Sequence, residues 1–303
     1  MKSAYWKKSR VFAIFAVLLW STASTAFKLS LRSLTPFELV FFASFVSLLI
    51  LWTLVIINKK ERGSYALTRR KIAEASIRGL LNPFLYYLVL FEAYDRLPAQ
   101  IAMVINYLWP IMLLLLSIPF LRQRITSKIL ISSCVSFCGV AVLVLGGNPA
   151  GGHLSITAIG LALLSTVIWA SFWIMNLRSS SNAVVTLAEA FSFGVFYLAL
   201  FGLISGKLTA LFHTDAAGLA GAIYVGIFEM GITFVIWQKA LELASTTAEI
   251  GNLIYLTPFV ALVFIGSIVG EQIGMFTVGG LLLVISGILL QERWRRTGII
   301  QDL

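Results

Sequence analysis

The chain has 303 residues, 59% hydrophobic and only 12% charged, with 23 Lys plus Arg against 13 Asp plus Glu and a formal net charge of +10. Ordinary soluble domains carry about 25% charged residues. At a mean hydropathy of +0.93 this chain has too little polar surface to coat a globule, which excludes a soluble enzyme or binding domain.

A bilayer's hydrocarbon core is roughly 30 Å thick and a helix rises about 1.5 Å per residue, so roughly 20 apolar residues make one crossing. Apolar runs between charged or Gly/Pro-rich breaks predict ten spans, over 11–31, 37–57, 77–94, 98–120, 126–145, 155–177, 184–206, 217–238, 247–269 and 273–291. The first follows a basic start and resembles a signal peptide. Its apolar stretch continues to about Leu31 and nine more runs follow, so it is expected as a membrane helix. Spans three and four are joined by "YDRL" and nine and ten by "GEQI". The longest connection, "NKKERGSYALTRRKIAEAS", is expected as a solvated basic loop near anionic headgroups. Cys134 and Cys138 lie four apart on one helix face, expected as small core residues with no disulfide.

With the amino terminus in the cytoplasm, Lys28, Arg32, Arg96 and Lys207 fall outside, leaving 19 of the 23 basic residues inside. That asymmetry obeys the positive-inside rule and places both termini in the cytoplasm. The positive charge is thus an orientation signal, and nucleic acid falls away as a partner; the partners expected are the lipid bilayer and a small-molecule substrate.

The chain also reads as a duplication. A shift of 148 residues lays Tyr255, Leu256 and Pro258 on Tyr107, Leu108 and Pro110, then Leu262 on Leu114, Ile273 on Ile125 and Gly287 on Gly139; a shift of 149 lays Trp169 on Trp20. Each unit, 1–145 and 146–303, has five crossings. An odd number forces the second copy to enter the membrane from the opposite face. The expected fold is therefore all-α and integral to the membrane, with ten helices in two inverted five-helix repeats around a central cavity, an architecture recurrent among secondary transporters.

A proline inside a membrane helix frees a backbone carbonyl, which is tolerated where protein or a water-lined cavity re-satisfies it. Pro110 and Pro258 are therefore expected as helix bends in spans four and nine. Asn106, Tyr107, Trp109, Asn252 and Tyr255 beside them are expected to line the cavity, although Trp109 could equally face lipid. Other polar or aromatic candidates near mid-membrane are Trp20, Ser21 and Thr22, Asn82 and Tyr86, Trp169, Trp173 and Asn176, and Glu229 and Trp237. Aromatic faces with a few amides and hydroxyls suit an organic molecule with an apolar body and a polar handle.

Glu229 lies deep in span eight, where an ionised carboxylate is costly. Two readings stay open for it, a contact for a substrate amine or proton, and a purely structural hydrogen bond; its counterpart at the 148 shift is Leu81. Glu189, Glu242 and Glu249 sit nearer span ends, as does Glu92, which could pair with Lys28; Lys239 and Glu242 are expected as a surface pair. His153 and His213 lie in separate loops without metal-ligand spacing, and no nucleotide-binding loop or nucleophile elbow occurs. No cofactor, metal or catalytic residue is expected. A membrane enzyme acting on lipid would call for clustered His, Asp or Ser at one face, and an accessory subunit would tolerate loss of Glu229, Asn106 and Tyr107.

"LLWSTASTAFKLSL", "VIWASFWIMNLR" and "GEQIGMFTVGGLLLVISGILL" resemble the drug/metabolite transporter (DMT) superfamily, specifically its EamA-type ten-helix exporters. "MVINYLWPIM" with "LLWST" resembles more narrowly the aromatic amino acid exporters of the YddG type. The resemblance implies ten helices in inverted 5+5 repeats, with a cavity lined by spans one, three, four, six, eight and nine. It also implies export of amino acids, aromatic ones among them, or related metabolites across a bacterial inner membrane. Trp20, Asn106, Tyr107, Trp109, Pro110 and Trp169 match by motif. Gln123 stands in the first repeat where the second has Glu271, and Glu229 has no motif counterpart.

Overall fold

The computed structural model describes residues 2–57, 68–121, 127–146, 153–177, 182–243 and 252–296. Glu249, and the side chains of His213, Glu242 and Asn252, lie outside the described set. The helices are α1 (Lys2–Ser21), α2 (Ala23–Ser30), α3 (Pro36–Ile57), α4 (Arg69–Gly79), α5 (Tyr86–Arg96), α6 (Ala99–Asn106), α7 (Trp109–Leu121), α8 (Ser127–Leu145), α9 (Ile156–Leu177), α10 (Ala183–Ile204), α11 (Ala216–Tyr224), α12 (Ile232–Leu243), α13 (Thr257–Phe264) and α14 (Met275–Arg296). Wide π-type turns occupy Leu80–Leu85, Val225–Glu229 and Ile265–Val269.

Seven helical stretches are long and apolar enough to cross a membrane: Lys8–Ser30, Pro36–Ile57, Ala99–Phe120, Ile156–Asn176, Ala183–Ile204, Ala216–Trp237 and Met275–Trp294. Leu130–Leu145 and Leu253–Val269 are shorter apolar helices. These nine fall on predicted spans one, two and four to ten. Span three is divided instead: Asn82 has extended φ/ψ (−145°, 121°) and Pro83 follows it between α4 and α5. The chain is thus an all-α, multi-pass membrane protein. Side-chain placement agrees with a lipid solvent: Ser21, Ser44, Ser47, Thr166 and Thr233 are fully buried, whereas Phe15, Leu49, Phe196 and Val263 face outward.

Local sequence explains several helix starts. At α3, Thr35 and Glu38 form a capping box, with Thr35 N–H donating to Glu38 Oε2 (2.7 Å) and Glu38 N–H to Thr35 Oγ1 (3.3 Å). Asn182 Oδ1 accepts from Val184 N–H at the start of α10 (2.9 Å), and Asp215 Oδ1 from Gly218 N–H at the start of α11 (2.7 Å).

The packing divides into two units that cut across the sequence halves: Met1–Phe91 with Ser180–Val269, and Glu92–Ser179 with Gly270–Leu303. In the first, α1 lies along α12, where Ser9 Oγ donates to the Ala240 carbonyl (2.7 Å) and Ala13 and Ala240 are buried under Trp237 and Leu253. In the same unit α3 lies along α10, joined by Trp52 Nε1 donating to Ser192 Oγ (2.9 Å).

In the second unit α8 and α14 run antiparallel at very close approach. A Cβ built on Gly139 would meet the Gly280 carbonyl oxygen at 2.6 Å and Val284 N at 2.8 Å; one on Gly280 would meet the Gly139 carbonyl at 2.7 Å. Ser136 Oγ donates to the Val284 carbonyl (3.1 Å). Gly139 against Val284, and Gly287 against Ser136, are the same contact under the 148-residue shift, as two helices facing each other across a pseudo-two-fold axis require. The small residues claim this face, which corrects the expected burial of the cysteines. Cys134 and Cys138 are free thiols on the outer side of α8.

Candidate functional site

In the first unit the candidates gather where spans one, three and eight are interrupted. Span one breaks at Thr22 between α1 and α2. Span eight widens over Val225–Glu229, where Met230 N–H reaches back five residues to the Val225 carbonyl (3.1 Å), and α12 resumes only at Ile232. Thr233 Oγ1 donates to the Phe228 carbonyl within that turn. The break at Met230–Gly231 stands 148 residues from that at Asn82–Pro83 in span three. Interruptions at corresponding positions of two inverted repeats are the usual marks of a transporter's binding region.

Glu229 ends that wide turn. Tyr87 O–H donates to its Oε1 (3.3 Å), and Trp20 Nε1 donates to its backbone carbonyl (3.4 Å). Trp20 lies in turn against Phe234 (centroids 5.4 Å, edge-on) and Trp237 (5.6 Å). Thr22 and Tyr224 hydroxyls share a hydrogen bond of 2.7 Å, and Ser21 Oγ donates to the carbonyls of Val17 (2.6 Å) and Thr257 (3.2 Å). One carboxylate with an aromatic wall and hydroxyls around it can hold a cationic or hydrogen-bonding group against ring faces.

The structure thus brings Trp20, Glu229 and Trp237 together, places Tyr86 edge-on to Tyr87 (4.7 Å), and adds Tyr87 and Tyr224. Beside Tyr86, which the sequence singled out, Tyr87 supplies a hydroxyl that donates to the carboxylate. Asn82 is 1% exposed, yet neither amide atom has a partner among the described residues. Ser21, fully buried, spends its hydroxyl proton on backbone carbonyls. In span nine a tight turn over Asn252–Leu256 carries Tyr255, and α13 starts at Thr257 with Pro258 in its first turn.

The second unit holds the remaining candidates. α6 ends at Asn106, Tyr107 and Leu108 turn, and α7 starts at Trp109 with Pro110 next, 148 residues before Thr257 and Pro258. In both spans proline sits in the first turn of the resumed helix, where its missing N–H costs nothing. Asn106 Nδ2 donates to Ser165 Oγ on α9 (3.0 Å). Trp109 stacks on Trp173 (centroids 6.3 Å, 19°), and Trp169 lies edge-on to Trp173 (6.0 Å, 85°). Trp109 therefore packs against protein.

The "GEQI" turn acts in this unit too. Glu271 accepts from Ala99 N–H (2.7 Å), Gln100 N–H (3.2 Å) and Gln100 Nε2 (3.3 Å), capping the N-terminus of α6 from the far side of the sequence. Gln100, 1% exposed, also donates to the Gln272 carbonyl (2.8 Å) and accepts from Thr277 Oγ1 (2.7 Å). Glu92 pairs with Arg96 at 2.6 Å. No group of three or more His, Cys, Asp or Glu with metal-binding geometry occurs among the described residues.

Interrupted membrane helices carrying a half-buried carboxylate and tryptophan clusters define a multi-pass protein of the transporter class. The model of the EamA-like transporter family matches residues 7–145 and again 156–291. The chain belongs to that family, and is a transporter of the EamA/DMT kind. It is 25% identical over 291 residues to an uncharacterized transporter of Archaeoglobus fulgidus, covering 95% of this chain and all of that one. A probable terminal-alkyne amino-acid exporter of Streptantibioticus cattleyicolor is 27% identical over 232 residues, 74% of each chain. Protein PecM of Dickeya dadantii is 26% identical over 192 residues, covering 61% of this chain and 62% of that one. A solved crystal structure shares the fold, with a TM-score of 0.64 at 18% identity over 96% of this chain and 99% of the other.

Proposed function

We propose that this protein exports amino acids, aromatic ones in particular, by alternating access across the bacterial inner membrane, with both termini in the cytoplasm. The observation that carries the reading is Glu229, held by Tyr87 and walled by Trp20 at the interruption of span eight. A carboxylate beside indole and phenol rings suits an ammonium group attached to an aromatic body. The buried, unpartnered amide of Asn82 and the amino-acid exporter among the relatives support the same substrate class. The 19-to-4 charge asymmetry supports the orientation.

Reconstitution into liposomes tests it. Radiolabelled phenylalanine, tryptophan, alanine and glutamate are each loaded, and counterflow is followed. The aromatic pair is expected to exchange fastest. Exchange of none of the four, with exchange of a non-amino-acid amphipathic solute, would transfer the assignment to other metabolites.

A further inference from the structure

Ser165, Trp169, Trp173 and Asn176 recur at helical spacing along α9 and form one stripe. Its two ends differ. At one end the polar groups are closed on each other: Asn106 donates to Ser165, whose own hydroxyl donates to the Ala162 carbonyl (2.7 Å). In the middle, Trp109 and Trp169 hold the Trp173 ring between a stacked and an edge-on neighbour. At the other end, Trp173 Nε1 and Asn176 Oδ1 are both shielded from solvent and have no hydrogen-bond partner among the described residues.

An indole N–H only donates and an amide oxygen only accepts. Buried groups of this kind are nearly always paired. Here the two orphans are complementary and one helical turn apart, roughly 5–6 Å at their Cβ atoms, and the Trp173 ring that carries the donor lies against two further indoles. A ligand that satisfies both presents an acceptor to the indole N–H and a donor to the amide oxygen.

We infer that Trp173 and Asn176 form a second head-group subsite on the substrate's path, occupied at a step other than its contact with Glu229, taking the carboxylate of an α-amino acid on the indole N–H and its ammonium on the amide oxygen. This rests on the amino-acid reading above. A decarboxylated amine meets only Asn176, and a carboxylic acid lacking the amine meets only Trp173. The subsite thereby distinguishes an amino acid from either half of its head group, a selectivity that ring stacking alone does not supply.

The test is calorimetric titration of the full chain in detergent micelles with phenylalanine, phenethylamine and 3-phenylpropionate. Trp173→Phe keeps a ring on Trp109 and removes only the donor; Asn176→Leu keeps the volume and removes the acceptor. Trp173→Phe is expected to weaken phenylalanine and phenylpropionate about tenfold and leave phenethylamine unchanged, one charge-assisted hydrogen bond being worth about that factor. Asn176→Leu is expected to weaken phenylalanine and phenethylamine and spare phenylpropionate. Equal weakening of all three ligands in either variant would reduce that residue to packing and overturn the subsite. So would phenylalanine binding within twofold of wild type in both variants. If wild type itself binds a non-amino-acid solute but not phenylalanine, the amino-acid reading falls and the subsite with it.

Discussion

Gly139→Ala is expected to force α8 and α14 apart. The new Cβ would stand 2.6 Å from the Gly280 carbonyl oxygen, 2.8 Å from Val284 N and 2.9 Å from Val284 Cγ2. Two of these are backbone atoms that cannot rotate away, so the helices must separate until carbon and oxygen regain van der Waals distance. Overpacking of this kind costs about 1–3 kcal/mol. Separation also stretches the 3.1 Å bond from Ser136 to the Val284 carbonyl, worth about 1 kcal/mol. Alanine's better helix propensity returns about 1 kcal/mol, leaving a net loss of about 1–3 kcal/mol. Gly279, one residue from the seam, has open space at its Cβ, so Gly279→Ala is expected to be neutral or stabilising by up to about 1 kcal/mol. Thermal unfolding in detergent, followed by the concentration of correctly folded protein after heating, compares the two. Gly139→Ala and Gly280→Ala combined should cost less than the two single losses added together, because helices already parted by the first methyl make room for the second. A Gly139→Ala protein as heat-resistant as Gly279→Ala would refute the close-packed seam.

Replacing Glu271 with Gln should leave α6 poorly capped, destabilising the protein by about 1–2 kcal/mol and accelerating amide exchange at Ala99 and Gln100; exchange at the wild-type rate would mean the carboxylate is not their acceptor. Glu229→Gln is expected to alter the pH dependence of counterflow more than Glu92→Gln does, because Glu92 is already paired with Arg96 near the helix end. An unchanged profile for Glu229→Gln would assign Glu229 to structure alone. On α4, hydrogen bonding to Arg70, with further help from Arg78, holds the Glu74 carboxyl below its ordinary value of 4.5. The folded-state value being depressed, this contribution is complete above about pH 4.5 and is lost as pH falls through the folded-state value. Acidification should therefore destabilise wild type relative to Glu74→Gln, and parallel melting temperatures from pH 6 to pH 3 would count against the pair.

The spans and their duplication were legible because lipid imposes a long apolar run on each crossing and because Tyr, Leu and Pro recur at fixed spacing. α7 and α13 accordingly resume 148 residues apart, at Trp109 and Thr257. Span three was legible as apolar but not as broken, and that break hid Tyr87. A face counted at 3.6 residues per turn loses register on passing an extended residue such as Asn82, so nothing in the sequence chose between Tyr86 and Tyr87. The "GEQI" motif was visible, but its purpose was not, since its partners lie 171–172 residues away. The cysteine assignment went wrong for a similar reason: every face of α8 is apolar or small, and only the position of α14 decides which is packed.

The reciprocal pairing of Gly139 with Val284 and Gly287 with Ser136 has an evolutionary reading. A surface that matches its own inverted copy is what two separate five-helix proteins need in order to meet as a pair, and in such an ancestor each substitution acts at both places at once. Joining the halves into one polypeptide removes that obligation. One copy could then acquire an acid at position 229 while the other kept leucine at position 81, and chemistry that symmetry would have forced to appear twice became free to appear once.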